Sequence, residues 1–359
     1  MYAPWTVLFN LASDALFEPL AVQRHTRFYD VQAHRGGRGN TVENTLPSFA
    51  WGLIDGASTL ELDNGITKDG HVVVWHDEEI TAAKCRDTRP AFQGDPDFPY
   101  VGKFIANLTL PQLRTVDCGS KRQFGYPMQL VYPGTRISTM QEVFDFVLWN
   151  IESKINARHP NQTRSVEDFV QKQYKLFSNS PYKQSITYQS FDWRSIVAMK
   201  ELDPSITTSA LIDDDTAANP EHGVTPWLAG LNLDSFPARL SRTGSPTPHI
   251  ASRPTSSPPR RRPAGRPVPD PDMDGYVPFT TREMIDTAHR LGMKVKPWTV
   301  NRNTIVEELL EWKADGIISD YPNVVRRLVK HRGLPVAPKY PKQRVLACLQ
   351  DHLEKQADF

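Results

Sequence analysis

Short apolar runs alternate with segments of helical periodicity along most of the chain. Short apolar runs predict buried strands, whereas apolar positions spaced three and four apart predict amphipathic helices. Strands are predicted at residues 29–34, 59–63, 72–76, 147–155, 185–189, 208–212, 294–300 and 316–319. Helices are predicted at residues 46–56, 166–177, 193–202, 281–291 and 304–313. This alternation is typical of an α/β protein with a parallel sheet.

A β-hairpin is predicted directly after the second strand, because Asp69-Gly70 is a strong turn signal. The chain length of 359 residues favours a TIM-type (β/α)8 barrel, and a doubly wound sheet is the alternative. The glycines Gly36, Gly37 and Gly39 do not form the G-x-G-x-x-G fingerprint of dinucleotide-binding folds.

A proline- and arginine-rich segment, residues 237–271, interrupts the pattern. It holds 10 of the chain's 30 prolines, seven arginines and almost no aliphatic residues. Such a composition buries too little apolar surface to offset the entropy lost on ordering. We expect a disordered insertion here; a basic docking linker and an aberrant segment of the gene are the alternatives.

Composition and charge narrow the classes of function. The formal net charge of +1 disfavours a dedicated nucleic-acid-binding protein. No apolar run approaches the length of about 18 residues that a transmembrane helix needs. The apolar stretch at residues 1–21 lacks a basic start and contains Asp14 and Glu18, which argues against a signal peptide. A cytoplasmic location is therefore favoured over secretion, and the oligomeric state is left open.

The three cysteines, Cys85, Cys118 and Cys348, are too few for a disulfide framework and lack metal-ligand spacing. Free thiols are the favoured interpretation. The alternative is a Cys85–Cys118 disulfide, which requires an oxidising compartment.

Carboxylates lie on two of the predicted strands. Glu61 and Asp63 are two residues apart, and side chains at that spacing point to the same face of a strand. Glu152 and Lys154 repeat this spacing on a later strand. If these faces meet, the three carboxylates predict a site for a hard divalent cation such as Ca²⁺ or Mg²⁺. Taken singly, Glu61 and Asp63 are more typical of the polar face of an edge strand, and Glu152 with Lys154 is more typical of a surface ion pair.

Two histidines, His34 and His76, end predicted strands. Unperturbed imidazoles titrate near neutral pH, so such a pair can supply one acid and one base. Arg35, Lys154 and a divalent cation would neutralise a phosphoryl group in its transition state. The combination predicts cleavage of a phosphate ester bond, and a packed structural role is the alternative for each ring.

The order and spacing of these motifs resemble the glycerophosphodiester phosphodiesterase family. The motifs are His34-Arg35-Gly36, Glu43-Asn44-Thr45, Glu61-Leu62-Asp63, Thr67-Lys68-Asp69-Gly70 and His76-Asp77. The segment 151–154 resembles the family's third metal-ligand strand, and segments 298–301 and 315–320 resemble its last two barrel strands. The resemblance covers residues 28–330 except the proline-rich segment.

The resemblance implies a TIM-type barrel with a hairpin inserted after the second strand. It implies a divalent metal, Ca²⁺ or Mg²⁺, on three ligands: Glu61, Asp63 and Glu152. It implies His34 and His76 as the acid–base pair. We assign His34 as base and His76 as acid, and the sequence leaves the reverse assignment open. In related barrels a neighbouring substrate hydroxyl is thought to attack phosphorus, giving a cyclic phosphate that water then opens.

The resemblance also implies substrate contacts. Arg35 and Lys154 are expected to contact the phosphate, and Trp298 to line the glycerol or head-group pocket. A barrel-filling role is the alternative for Trp298. We interpret Asn44 and Thr45 as helix caps.

The expected activity is metal-dependent hydrolysis of a small glycerophosphodiester, such as a deacylated phospholipid, to glycerol 3-phosphate and an alcohol. One alternative is a lysophospholipase D-type phosphodiesterase that acts on lipids. The other is a catalytically impaired barrel that serves only as a binding module.

The expected organisation is an N-terminal extension at residues 1–27, the barrel at 28–330 and a partly helical C-terminal tail at 331–359. Only seven parallel strands are predicted, and the family's sixth strand falls within residues 237–271. Such a gap would open the barrel and expose two strand edges. A second irregularity is the absence of a turn signal between the helical pattern and the strand within residues 139–152.

Overall fold

The computed structural model describes residues 28–144, 149–213, 216, 225–230, 249–252 and 280–357. The predicted N-terminal extension, most of the proline-rich segment and the junction at residues 145–148 lie outside this part of the chain. The strands are β1 (Asp30–Ala33), β2 (Thr59–Ile66), β3 (Val72–Val74), β4 (Arg86–Asp87), β5 (Val116–Asp117), β6 (Trp149–Ser153), β7 (Thr187–Ser190), β8 (Thr207–Ile212), β9 (His249–Ser252), β10 (Lys294–Val295) and β11 (Gly316–Ser319).

Eight of these strands form a closed parallel ring. Their order is β10-β9-β8-β7-β6-β2-β1-β11, with every pairing parallel. Backbone hydrogen bonds join the two ends, since the Asp315 amide donates to Val295 and the Ile318 amide donates to Pro297. The ring confirms the TIM-type barrel, with β3 pairing antiparallel to β2 as the predicted hairpin.

The structure supplies the strand that the sequence pattern lacks. Strand β9 lies inside the proline-rich segment and pairs with β8 on one side and β10 on the other. The expectation of a barrel with only seven strands is therefore wrong. The reason is physical: backbone hydrogen bonds to two neighbours hold a four-residue strand that its own composition does not predict.

The helices surround the ring. They are α1 (Leu46–Asp55), α2 (Leu110–Leu113), α3 (Met140–Phe144), α4 (Val166–Asn179), α5 (Trp193–Leu202), α6 (Arg282–Arg290), α7 (Asn303–Glu311), α8 (Pro322–His331) and α9 (Lys342–Ala357). Helix α1 begins as the sequence predicts: the Thr45 side chain accepts from the Ser48 amide, and Pro47 occupies the first turn. It ends at Gly56, whose φ of 85° is left-handed.

Side-chain alternation along the strands separates an apolar layer from a polar interior. Leu60, Leu62 and Ile151 belong to the apolar cluster that packs beneath the helices. Their neighbours along the strands include the buried polar residues Glu61 and Asn150, which are register partners. The same alternation therefore directs the acidic side chains into the barrel.

An insertion between β2 and α3 has an apolar core of its own. The cluster includes Trp75, Tyr100 and Leu108, all buried. Cys85 and Cys118 form a disulfide within it, so the expectation of free thiols at these two positions is wrong. Sequence spacing could not settle this pairing, because the two cysteines meet only through the packing of the insertion. Cys348 is a free thiol.

The C-terminal residues include a long helix, α9 (Lys342–Ala357). This helix packs against α1, and its residues Val345 and Leu349 are buried in the same cluster as Phe49. None of the helices in the described part of the chain has the length and apolar character needed to span a bilayer.

Candidate active site

Three buried carboxylates converge inside the barrel. Glu61 and Asp63 lie on β2, and Glu152 lies on the adjacent strand β6 directly opposite Asp63. One oxygen from each residue lies within 4.8 Å of the others. Parallel pairing and the i, i+2 spacing therefore bring together the three residues that the sequence nominates as metal ligands.

Burial and mutual repulsion make the cluster costly when it is fully ionised. Burial, Asp63 and Glu152 raise the pKa of Glu61 well above its usual range. Burial raises the pKa of Glu152 to about 7, with Asp63 adding to the rise. Burial alone would also raise the pKa of Asp63, but neighbouring cationic side chains hold this pKa below its usual range. A bound cation would relieve this repulsion.

The donor set fits a hard divalent cation. All three groups offer oxygen, the ligand type that Ca²⁺ and Mg²⁺ prefer. Oδ1 of Asp63 is buried and accepts no hydrogen bond, although Nζ of Lys154 lies 3.6 Å away. A buried carboxylate oxygen without a hydrogen bond is uncommon, and metal coordination is one way to satisfy it.

Asn44 contacts the cluster directly. Its amide nitrogen donates to Oδ2 of Asp63 at 2.8 Å, and its oxygen accepts from the Asp63 amide at 3.3 Å. The residue adopts a left-handed φ of 54°. The interpretation of Asn44 as a helix cap is therefore wrong, whereas Thr45 does cap α1. In the sequence, a short polar side chain is equally compatible with a helix cap and with a contact to a buried carboxylate.

Arg35 contacts two carboxylates of the acidic cluster. Its amide donates to Oε2 of Glu61 at 2.7 Å, and its Nε lies 3.2 Å from Oδ2 of Asp63. Its Nη1 donates to Oε1 of Glu43 at 3.0 Å. The tight turn requires Gly36, because a Cβ there would lie 2.3 Å from the Ser48 hydroxyl. The motif His-Arg-Gly thus presents its cation beside the cluster.

Glu43, which sequence reasoning left without a role, forms ion pairs with three cationic side chains. Besides Arg35, its carboxylate lies 2.7 Å from Nζ of Lys84 and 3.6 Å from Nη1 of Arg38. Cationic neighbours hold the pKa of Glu43 well below its usual value, although burial alone would raise it. Glu43 therefore fixes positive charge around the site.

His34 is held by a carboxylate that sequence reasoning did not assign to the site. Its Nδ1 lies 2.6 Å from Oδ1 of Asp320. Asp320 also accepts from Arg38 at 2.8 Å, from the Tyr126 hydroxyl at 2.8 Å and from Asn301 at 2.7 Å. The signal that could have found Asp320 is its place directly after the last strand, at the same barrel end as His34.

Burial lowers the pKa of His34 to about 4, against the opposing effect of Asp320. The ring is therefore neutral near pH 7. A neutral imidazole that donates from Nδ1 to a carboxylate leaves the lone pair of Nε2 free to accept a proton.

His76 makes a similar pair on the insertion. Its Nδ1 lies 2.7 Å from Oδ1 of Asp77, and Oδ2 of Asp77 accepts from Lys84 at 2.6 Å. Burial and the neighbouring cations lower the pKa of His76 well below its usual value. His34 precedes Arg35, which contacts Glu61 and Asp63, and His76 follows Trp75, whose amide donates to the Asp63 carbonyl at 3.1 Å. The two rings therefore border the acidic cluster.

Lys154 and Trp298 both lie next to the Phe191 ring. Nζ of Lys154 lies 2.5 Å from Glu152 and 5.8 Å from the centroid of the Phe191 ring. The ring of Trp298 is half-buried and packs edge-on against Phe191, with centroids 5.3 Å apart. The sequence-nominated Trp298 thus reaches the site through an aromatic contact.

The chain matches the model of the glycerophosphoryl diester phosphodiesterase family over residues 34–324. A glycerophosphodiester phosphodiesterase of Caldanaerobacter subterraneus is 26% identical over 309 residues, which cover 84% of this chain and 98% of that protein.

Solved structures share the fold. A protein of Silicibacter pomeroyi, provisionally named a glycerophosphoryl diester phosphodiesterase, has a TM-score of 0.66 at 23% identity, covering 87% of this chain and 97% of its own. A phosphodiesterase of Oleispira antarctica, solved with its product sn-glycerol-3-phosphate, has a TM-score of 0.58 at 19% identity, covering 84% and 97%. The family match spans most of the described barrel. This chain therefore belongs to the glycerophosphoryl diester phosphodiesterase family.

Proposed function

We propose that this protein hydrolyses glycerophosphodiesters to sn-glycerol 3-phosphate and an alcohol, as a metal-dependent phosphoric diester hydrolase. The observation that carries the proposal is the convergence of Glu61, Asp63 and Glu152 between two carboxylate-bound histidines. Family membership and the product complex of a relative support the same substrate class.

Three carboxylates would hold the cation: Glu61, Asp63 and Glu152. When bound there, Ca²⁺ or Mg²⁺ would neutralise charge on the phosphoryl oxygens and orient the phosphate. Arg35 and Lys154 add two fixed positive charges next to the same carboxylates. The site is therefore suited to an anionic diester whose charge grows in the transition state.

We assign the role of general base to His34. Asp320 holds its Nδ1, so Nε2 can accept the proton of an attacking hydroxyl while the carboxylate stabilises the resulting imidazolium. We assign the role of general acid to His76 in its imidazolium form, in which Nδ1 donates to Asp77 and Nε2 carries the proton to be transferred; the anionic phosphodiester bound beside the ring would favour this protonated form. Each ring thus has a carboxylate that fixes its orientation.

The proposed reaction has two steps. In the first, a hydroxyl of the glycerol loses its proton to His34 and attacks phosphorus, while the departing alkoxide takes a proton from His76. The products are an alcohol and a cyclic phosphate. In the second, water adds to phosphorus and opens the ring, with the two histidines exchanging roles, to give sn-glycerol 3-phosphate.

The two alternatives raised by the sequence have less support. A catalytically impaired barrel was suggested by a missing strand, but β9 fills that position. The lysophospholipase D alternative is less favoured than hydrolysis of a small diester, because a structural relative was solved with sn-glycerol-3-phosphate.

We further propose that the protein works in an oxidising compartment rather than in the cytoplasm. The support is the Cys85–Cys118 disulfide, buried within the insertion, since cytosolic proteins of most organisms keep their thiols reduced.

The test of function is release of sn-glycerol 3-phosphate from glycerophosphodiesters by purified protein. We expect turnover by the wild type and a loss on the order of 10² to 10⁴ in kcat for His34→Ala and for His76→Ala. His289→Ala is the matched control, because His289 pairs with Asp315 at a half-exposed position away from the site. Wild-type kcat in the His34 and His76 variants would remove the two rings from the mechanism.

A further inference from the structure

A loop of the insertion, residues 121–130, carries the two most exposed large apolar side chains in the described part of the chain. Phe124 is fully exposed, and Met128 is 81% exposed. Leu130 of the same loop is 43% exposed. Single exposed apolar residues are ordinary on protein surfaces, but a group of them on one loop marks an interaction surface.

Hydrogen bonds to Gln129 fix the shape of this loop. The Gln123 amide donates to Oε1 of Gln129 at 2.9 Å, and Nε of Arg122 donates to the Gln129 carbonyl at 2.9 Å. Gln129 itself is buried, and its Nε2 donates to the Arg38 carbonyl at 2.6 Å. The loop therefore has a defined conformation in which its apolar side chains face solvent.

The loop borders the catalytic end of the barrel. Tyr126 lies midway between Phe124 and Met128 in the sequence, and its hydroxyl donates to Oδ2 of Asp320 at 2.8 Å. The carboxylate of Asp320 in turn holds His34. The exposed apolar side chains are therefore only two residues away from a side chain that reaches the site.

The charges on this part of the chain are positive. Residues 118–141 contain three basic residues and no acidic residue. Nζ of Lys121 donates to the carbonyls of Ala82 and Cys85, at 2.6 Å and 2.8 Å, and Arg122 donates to a carbonyl of the loop. Carbonyl partners carry no net charge, so the positive charges of Lys121 and Arg122 are not neutralised by these contacts.

We propose that this loop docks the protein on an anionic lipid bilayer, with Phe124 and Met128 inserted among the lipids and Lys121 and Arg122 against the head groups. Exposed apolar side chains beside basic residues are the two features on which binding to an anionic lipid surface depends. A bilayer can bury a projecting phenyl ring and a thioether chain without a matching groove, which a protein partner would have to supply. The proposal goes beyond the hydrolysis argued above and does not depend on it.

Docking through this loop turns the catalytic end of the barrel toward the bilayer, because Tyr126 connects the loop to Asp320. Removal of both acyl chains from a glycerophospholipid leaves a glycerophosphodiester at the same surface. A docked protein would therefore meet its proposed substrate where a deacylation reaction releases it.

The test measures binding of the purified protein to vesicles by co-sedimentation. We expect the wild type to bind vesicles of phosphatidylcholine mixed with phosphatidylglycerol. Its affinity for pure phosphatidylcholine vesicles, or for the mixed vesicles at high salt, should be roughly tenfold lower, because the two cations lose their attraction to the surface. The double variant Phe124→Ser with Met128→Ser should bind the mixed vesicles about tenfold more weakly than the wild type. Both side chains are exposed, so these substitutions should preserve the fold.

Leu334→Ser is the matched control and should bind the mixed vesicles as the wild type does. Leu334 is an exposed apolar residue at the opposite end of the barrel, where the Tyr29 amide, just before β1, donates to the Pro335 carbonyl at 2.8 Å.

Three results would overturn the proposal: wild-type protein that does not bind the mixed vesicles, including protein that uses the loop to form a dimer instead; equal binding by the double variant; or an equal loss of binding in Leu334→Ser. The rate of hydrolysis of a water-soluble glycerophosphodiester, measured on the same samples, tests the proposed function separately and should be the same in the double variant as in the wild type.

Discussion

His34 and Asp320 meet with 2.6 Å between Nδ1 and Oδ1, although they are 286 positions apart in the chain. His34 follows β1 and Asp320 follows β11, and these strands are paired so that Ala33 lies opposite Ser319. The next residue of each strand therefore arrives at the same end of the barrel. The contact between His34, the proposed base, and the Asp320 carboxylate therefore depends on the pairing of β1 with β11, the first and last strands of the chain.

Asp320→Asn should lower kcat on a glycerophosphodiester by roughly 10² to 10⁴, because the imidazolium form of His34 loses its carboxylate and the ring loses its fixed tautomer. Steady-state kinetics measures this loss. Asp315→Asn is the control, since Asp315 forms a comparable pair with His289 outside the site. A kcat for Asp320→Asn within threefold of the wild type would contradict the positioning role.

The cation site makes a prediction about stability. Because Ca²⁺ or Mg²⁺ would bind only the folded carboxylate cluster, a concentration 100 times the Kd should stabilise the protein by about 2.7 kcal/mol. Glu61→Gln removes one of the three ligands and should abolish most of this gain. Denaturant unfolding with and without the cation measures this gain in unfolding free energy for each variant. Glu79→Gln should retain the full gain, and an equal gain in Glu61→Gln would place the cation elsewhere.

The disulfide should stabilise the insertion that carries His76. Cys85 and Cys118 are separated by 33 positions, and closing a loop of that size in the unfolded chain is worth about 3–4 kcal/mol on the chain-entropy estimate. Cys118→Ala should lower the free energy of unfolding by up to this amount, as measured by urea titration. Cys348→Ala is the free-thiol control. Equal stabilities for Cys118→Ala and the wild type would contradict a formed disulfide.

Asp30 should make stability depend on acid pH. Burial alone would raise its pKa, but Lys296 at 2.7 Å and hydrogen bonds from Gln32 and Thr59 lower it below its usual value. The folded state therefore favours the carboxylate, and its contribution is present above the unfolded pKa of about 3.9. It is lost as the pH falls through the lower folded pKa.

Asp30→Asn tests this dependence. The difference in unfolding free energy between wild type and variant should be constant above about pH 5 and should shrink below about pH 4. A difference that grows on acidification would contradict a depressed pKa.

The local chemistry of the site follows from sequence because it rests on short-range rules. Glu61 and Asp63 share a face through the two-residue repeat of a strand, and Asp69-Gly70 sets the hairpin that returns toward His76. Parallel pairing then brings Glu152 beside Asp63. No long-range information beyond the α/β pattern is needed.

Other features depend on packing that periodicity does not encode. Tyr126 reaches Asp320 across 194 positions because the insertion folds back over the barrel end. Strand β9 is held by its two neighbours rather than by its own propensity. Asn44 looks like a helix cap because the residue type is the same for both roles, and only its contact with Asp63 separates them.

The most direct test is the initial rate of sn-glycerol 3-phosphate release by wild-type protein in chelator, followed by restoration of Ca²⁺ or Mg²⁺. The rate of hydrolysis should fall to background when the cation is removed. It should return when Ca²⁺, Mg²⁺ or both are added back in excess of the chelator. The same addition should fail to restore Asp63→Asn, which lacks one of the three carboxylates. Full activity in chelator, or full activity of Asp63→Asn, would contradict catalysis at this cluster.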